Sequence, residues 1–361
     1  VDSLLIWSTA YKVDAYRFDL MGHHMVDDML AVQEAIGGLT VENDGVDGSA
    51  IFIYGEGWNF GEVANNARGV NATQANMAGT GIGTFNDRLR DAVRGGSPFD
   101  GLQEQGFIKG LFNNPNGVES RPEGALFTEL LLSADQIRVG LAGNLADYRF
   151  INAVGEEVTG ADIDYNGSPA GYNAIPYENI VYISKHDNET LFDIIQFKAP
   201  LETSMAERVR MQNLGMSIVS LSQGVPFFHA GSDMPRSKSL DRNSFNSGDW
   251  FNKLDFSYES NNWAVGLPPA GDNSGNYEVM AALLAEDNLT PSQDDILRAV
   301  THFREMLAIR MSSALFRLET AVSVQERVAF HNSGPEQVPC VIVMSFDDRF
   351  GEDLDPTAEM I

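Results

Sequence analysis

Apolar residues recur along this chain in two rhythms. Short β-branched or aromatic runs alternate with longer stretches at helical spacing. Residues 13–20 alternate and close at Asp19, which predicts a strand. Residues 25–36 place their apolar positions on one helix face and stop at Gly37-Gly38. A short apolar run at 50–54 predicts a second strand, and 80–85 a third, followed by a basic helical piece at 87–94. Helices are expected at 133–142 and 204–222, with a strand at 180–184 between them. Another strand is expected at 225–230, with Pro226 at its entry. Residues 292–310 predict a helix with Ser292 as N-cap and Asp294 and Asp295 in its first turn. The polar segments 59–79, 97–124, 147–178 and 236–272 read as long loops.

After Met311 the rhythm changes to short alternating strands at 322–330 and 338–346, so a domain boundary is expected near there. Before it, five strands lie near Asp19, Ile53, Phe85, Ile183 and Phe228, separated by helices and large loops. That alternation predicts an α/β fold with a parallel barrel sheet. Such a barrel closes with eight strands, so three would precede Val1. Residues 1–6 read as the interior of a helix, and 353–361 stop without a closing pattern. Both ends read as cuts in a longer chain.

Charge narrows the ligand class. Lys and Arg number 24 against 51 Asp and Glu, a formal net charge of −27. Such a chain repels nucleic acid and anionic membranes and favours a neutral or cationic ligand; it also suits a saline setting. Cys340 is the one cysteine, so no intrachain disulfide forms, and oxidising and reducing compartments both stay open. No run of apolar residues is long enough for a transmembrane helix. His23-His24 lacks partner ligands at a suitable spacing for zinc, and a role lining a cleft is expected instead. No G-x-S-x-G occurs, and the glycines at 79–83 do not form a phosphate loop.

Three acids stand where predicted strands end. Arg17 and Asp19, two apart, share a strand face, so the guanidinium holds the carboxylate ionised and oriented. A nucleophilic carboxylate needs that; a structural salt bridge is the plainer alternative. Glu56 lies between Gly55 and Gly57, whose freedom allows unusual backbone angles and close approach of a ligand. Trp58 beside it offers a stacking face for a sugar, and its apolar bulk favours keeping the proton on Glu56. A loop glutamate beside a packed tryptophan is the alternative. His186 and Asp187 reach one ligand together only at a strand tip; otherwise they form a capped turn. Three carboxylates at strand ends suit cleavage of a glycosidic bond: one attacks, one donates a proton, one steadies positive charge. The run 227–256 mixes aromatics with Arg, Asn and Asp, as carbohydrate-gripping loops do, and Trp250, Phe251 and Phe256 are costly to leave exposed.

Four segments, YKVDAYRFDLMGHH, YGEGWNFGEV, YISKHDNETLFD and FFHAGSDMPRSKSLDRNSFNSGDWFNKLDF, resemble the pullulanase and limit-dextrinase group of glycoside hydrolase family 13, the α-amylase superfamily. The resemblance implies a partial (β/α)8 TIM barrel, strands four to eight of the family, over 1–311. The start of a C-terminal β-sandwich follows at 312–361. It implies Asp19 as nucleophile, Glu56 as general acid/base and Asp187 as transition-state stabiliser. Arg17 would hold Asp19, His186 would bind hydroxyls, and Trp58, Phe60 and Arg242 would contact glucan. The substrate implied is an α-glucan cleaved at α-1,6 links. The rival readings are another superfamily hydrolase or transglycosylase on α-1,4-glucan, and a non-catalytic glucan-binding barrel. No cofactor is required; calcium is common in the superfamily, but no ligands are assigned here. The family's first motif and its Tyr-Asn-Trp-Gly-Tyr segment are absent.

Overall fold

The computed structural model describes residues 1–118 and 121–361. Three strands come first: β1 (Ala15–Phe18), β2 (Phe52–Gly55) and β3 (Gly83–Phe85). Two small hairpins follow, β4 (Arg149–Ile151) with β5 (Glu157–Thr159), and β6 (Asp164–Tyr165) with β7 (Ser168–Pro169). Then come β8 (Asn179–Val181), β9 (Val225–Pro226), β10 (Val328–Phe330) and β11 (Met344–Phe346). The sheet order β1-β2-β3-β8-β9 is parallel throughout and curls as a half-barrel. All five expected strands before residue 311 are therefore present, shorter than the apolar runs that announced them.

Alternation along β8 explains how the sheet divides two cores. Ile180 and Tyr182 face an aromatic interior with Phe85, Tyr54 and Phe227, while Val181 and Ile183 face the packed helices. Phe85 is the hub of that interior, with ring centres 5.0 Å from Tyr182, 5.1 Å from Phe227 and 5.8 Å from Tyr54. Helices Asp87–Arg94, Glu123–Leu141, Leu191–Lys198 and Met205–Leu221 supply the outer layer. The expected cap Ser292 forms, and Ser204 adds a second that was not anticipated: each accepts from the third helical N–H and closes a capping box, over Gln293–Ser312 and Met205–Leu221 respectively. The helix expected at 133–142 begins much earlier, at Glu123.

Two expectations beyond residue 311 hold only at their C-terminal ends. Residues 322–330 are mostly the helix Ala321–Arg327, not a strand; Thr320 accepts from Ser323 N–H as its cap, and Val324 is buried beside Phe316 and Leu318. The alternation of Val322 and Val324 mimicked a strand because one faces solvent on a short helix and the other the core. At 338–346 only β11 is extended, because Cys340 adopts a left-handed backbone (φ 62°) that breaks the run. β10 and β11 pair antiparallel, and their core also includes Tyr148, Phe150 and Ile163 from the hairpin region. No described helix is long and apolar enough to cross a membrane.

Candidate active site

Parallel strands end on one side of a sheet, so whatever follows β1, β2, β8 and β9 is gathered there. Asp19 directly follows β1, and Leu20 after it turns the chain in a left-handed conformation (φ 47°). That turn is tied to the tip of β2 by three hydrogen bonds. Glu56 N–H donates to Phe18 C=O at 3.1 Å, Gly22 N–H to Glu56 C=O at 2.8 Å, and Leu20 N–H to Glu56 Oε2 at 2.9 Å. A side chain at Gly22 would put its Cβ 2.2 Å from the Trp58 carbonyl oxygen. Gly55 and Gly57 serve the same purpose. A Cβ there would sit 2.6 Å from Phe18 O and 2.7 Å from Gln74 N, and neither glycine has a positive φ. The expected ligand-admitting glycines are thus corrected: protein backbone occupies the space, so that the acid-bearing tips lie close together.

The three acids converge. One guanidinium, that of Arg17, donates to Asp19 Oδ1 at 2.5 Å and pairs with Glu56 Oε1 at 2.7 Å. It rests 5.6 Å over the Phe85 ring, whose face favours a cation. Lys185 Nζ, buried, lies 2.8 Å from Glu56 Oε1 and donates to Asp187 Oδ2 at 2.5 Å. His186 Nε2 is 3.4 Å from Asp187 Oδ1 and 3.9 Å from Asp19 Oδ1. One ligand atom each from Asp19, Glu56 and His186 falls within 4.8 Å of the others. The carboxylates differ in depth: side-chain exposure is 65% for Asp19 and 47% for Asp187, but 2% for Glu56. Two acids face the solvent and one lies beneath them.

Charges follow from these contacts. Burial pushes the Asp187 carboxyl up, but the Lys185 ammonium and the neighbouring His186 and Arg17 outweigh it and hold Asp187 below the usual carboxylate range. Burial and Lys185 draw His186 below the ordinary imidazole value against the pull of Asp187, so the ring is neutral at neutral pH. His229, just past β9, accepts or donates at Nδ1 with Ser184 Oγ (3.1 Å), and Arg236 meets its Nε2 (3.1 Å). Burial, then Arg236, push its pKa down to about 3. Glu56 itself is ringed by two cations and a backbone N–H, not by the apolar bulk that Trp58 led one to expect.

The remaining expected site residues scatter around this centre. Trp58 is half-buried against the aromatic interior, with the Arg90 guanidinium 6.0 Å from its ring. Phe60 is exposed and stands edge-on to His23 at 4.7 Å, which places His23 near the site's rim. Arg242 donates to Pro98 C=O at 2.7 Å and lies 5.8 Å over the Phe99 ring, so it joins the two long loops. It lines a cavity of about 200 Å³ to which none of the three acids contributes. That loop is anchored to the strand tip, since Asn188 N–H donates to Asn243 Oδ1 at 3.0 Å. Trp250 and Phe256 are exposed despite the cost, as is Phe245. Lys185 and His229 were not picked out from the chain. Lys185 stands two residues before Asp187, the same spacing that singled out Arg17 and Asp19, so the signal was there.

The chain is similar to known proteins over nearly its whole length. Residues 258–361 match the family described as "Alpha-1,6-glucosidases, pullulanase-type, C-terminal". Pullulanase 1, chloroplastic, of Arabidopsis thaliana is 53% identical over 348 residues, covering 96% of this chain and 36% of the relative. The pullulanase of Klebsiella pneumoniae is 42% identical over 360 residues, covering 98% of this chain and 32% of the relative. The chain belongs to the pullulanase family. A crystal structure of PulA, the K. pneumoniae pullulanase, in complex with maltotriose superposes with a TM-score of 0.91 at 41% identity, over 99% of this chain and 38% of that one. The pullulanase-like mixed α/β fold therefore extends over nearly all residues here. The chain spans about a third of the length of the curated pullulanases it matches.

Proposed function

We propose that this chain carries the catalytic acids of a retaining debranching hydrolase that cuts α-1,6 links in pullulan, amylopectin or limit dextrins. The observation that carries the reading is the single Arg17 guanidinium gripping Asp19 and Glu56 at once, with an oxygen of each acid within 4.8 Å. Retaining pairs stand about 5–5.5 Å apart, whereas inverting pairs leave about 6.5–9.5 Å for a water. In this mechanism Asp19 attacks the anomeric carbon as the glycosidic C–O bond breaks, and the Glu56 proton passes to the leaving oxygen. Water then attacks the same carbon, its proton goes to Glu56, and the bond to Asp19 breaks. Asp187 stays ionised and favours the oxocarbenium-like state by charge. Neutral His186, between Asp187 and Asp19, hydrogen-bonds sugar hydroxyls. Trp58, Phe60 and Arg242 contact the glucan.

The same reading assigns β1, β2, β3, β8 and β9 to strands four to eight of an eight-stranded barrel within 1–311, with 312–361 opening a C-terminal β-sandwich. No cofactor takes part in these steps. In the full-length protein, Asp19→Asn is expected to lower turnover on pullulan by at least about a thousandfold, the scale for losing an essential nucleophile. Maltotriose released from pullulan with amylose untouched supports α-1,6 specificity; the reverse pattern rejects it. Unchanged turnover in Asp19→Asn rejects the catalytic assignment.

A further inference from the structure

Lys185 is the cation that the reaction scheme leaves unused. Its ammonium is buried, and it lies between two carboxylates with opposite duties, 2.8 Å from Glu56 and 2.5 Å from Asp187. One of those acids must gain and lose a proton in every cycle; the other must stay charged. A cation shared by both stabilises their anions and fixes the distance between them. We propose that Lys185 is a positioning residue that ties the acid/base carboxylate to the charge-stabilising one and sets the alkaline limit of the reaction. The inference rests on the roles proposed above for Glu56 and Asp187.

The groups around Glu56 make the lysine's part separable. From β1 and its tip come Arg17 and Asp19, and from the segment after β8 come Lys185, His186 and Asp187. Tyr54 lies on β2, two residues before Glu56, and burial raises its phenol, so it stays neutral. His229, beyond Ser184, is held neutral by burial and Arg236. Arg17 remains as the second cation on Glu56. Of the two cations on Glu56 Oε1, only Lys185 also reaches Asp187. Without it, the Glu56 anion loses one of its two cationic partners. Asp187 loses the donor that fixes its rotamer.

The test is the pH profile of kcat/KM on pullulan for the full-length protein and its Lys185→Met and Lys185→Arg variants. Thermal melts show whether each variant is folded. An opposite charge at this distance lowers a carboxylate's titration by about one to three pH units. Because Arg17 remains, the alkaline limb of Lys185→Met should move up by about one unit, the low end of that range, while kcat falls. Lys185→Arg should keep the limb near its original position. If the Met variant fails to fold, Lys185→Gln takes its place with the same expectation. A Met or Gln variant that loses kcat equally at all pH values, with an unmoved limb, overturns the proposal and leaves a merely structural lysine. Glu56→Gln distinguishes the levels. An inactive Glu56→Gln beside an unmoved limb sinks the lysine alone, whereas an active Glu56→Gln sinks the catalytic reading and this inference with it.

Discussion

At the scale of single residues, the arrangement depends on buried charges that are individually costly. Asp193 shows how the loop following β9 is fastened. Its carboxylate is fully buried and accepts from Ser237 Oγ at 2.5 Å and Lys238 N–H at 2.8 Å. Burial pushes its pKa up to about 6, against the pull of those hydrogen bonds. In the unfolded chain the value is about 3.9. Between these values the folded state holds the proton that the unfolded state has lost. The contribution is therefore fully present below about pH 4 and is lost as pH rises through about 6, amounting to roughly 3 kcal/mol over the window. Comparing urea-unfolding free energies of the parent and Asp193→Asn from pH 4 to 7 isolates it. The parent should lose stability relative to the variant as pH rises, and parallel curves would refute the assignment. None of this was legible in the sequence, where Asp193 is one acid near the start of a helix. Arg17 and Asp19 were legible because a spacing of two on a strand has one geometric meaning. Lys185 and Asp187 carry the same spacing, but they lie past the end of β8, where a spacing of two no longer fixes a shared face.

At the scale of elements, the site exists because two strand tips approach more closely than side chains allow. Gly22 is the narrowest point of that approach, and its N–H donates to the carbonyl of Glu56 itself. Gly22→Ala forces a methyl against the Trp58 backbone carbonyl, with no flexible side chain to yield. Overpacking of this kind costs about 1–3 kcal/mol. The larger expected effect is on chemistry, since misplacing reacting groups by about 1 Å loses about a hundredfold in rate. A variant with a melting point lowered by a few degrees and near-full kcat would refute this geometric role. The positions of the five parallel strands were readable because each lies in a short apolar run that gives way to polar residues or glycine. Their lengths were not, because the ladder pairing of β8 and β9 ends while the apolar pattern continues; Tyr182 and Ile183 are buried past the end of β8. The helix Ala321–Arg327 escaped because seven residues carry too few turns to show a helical period, and its cap, Thr320, resembles any polar residue before a strand.

At the scale of the whole molecule, charge is sorted by depth. Among the described residues, ten Lys and Arg side chains are buried: Arg90, Arg94, Lys109, Arg138, Lys185, Lys198, Arg208, Lys238, Arg310 and Arg327. They come from a total of only 24 cations, whereas the chain has 51 acids, of which nine are found buried. Several of these cations serve as internal struts. Arg208 donates to the carbonyls of Ile195, Pro200 and Thr203, and Arg138 reaches Asn332 C=O at 2.7 Å. Carrying so large a share of the positive charge inside leaves a surface dominated by carboxylates that repel one another. Among the described residues, surface ion pairs such as Arg349 with Asp347 are few, and pairs of this kind contribute too little to offset this. Added salt should therefore stabilise the fold. Screening shortens the reach of surface charge from about 10 Å at 0.1 M to about 3 Å at 1 M, relieving repulsion between carboxylates while leaving the buried cations untouched. Thermal melts in 0.05 M and 1 M NaCl at neutral pH are expected to differ by several degrees in favour of high salt. Potassium chloride should act equally, because the effect is screening and not site binding. A midpoint that falls with salt would mean that surface ion pairs, and not repulsion, dominate the balance, and the depth-sorting account would have to be abandoned.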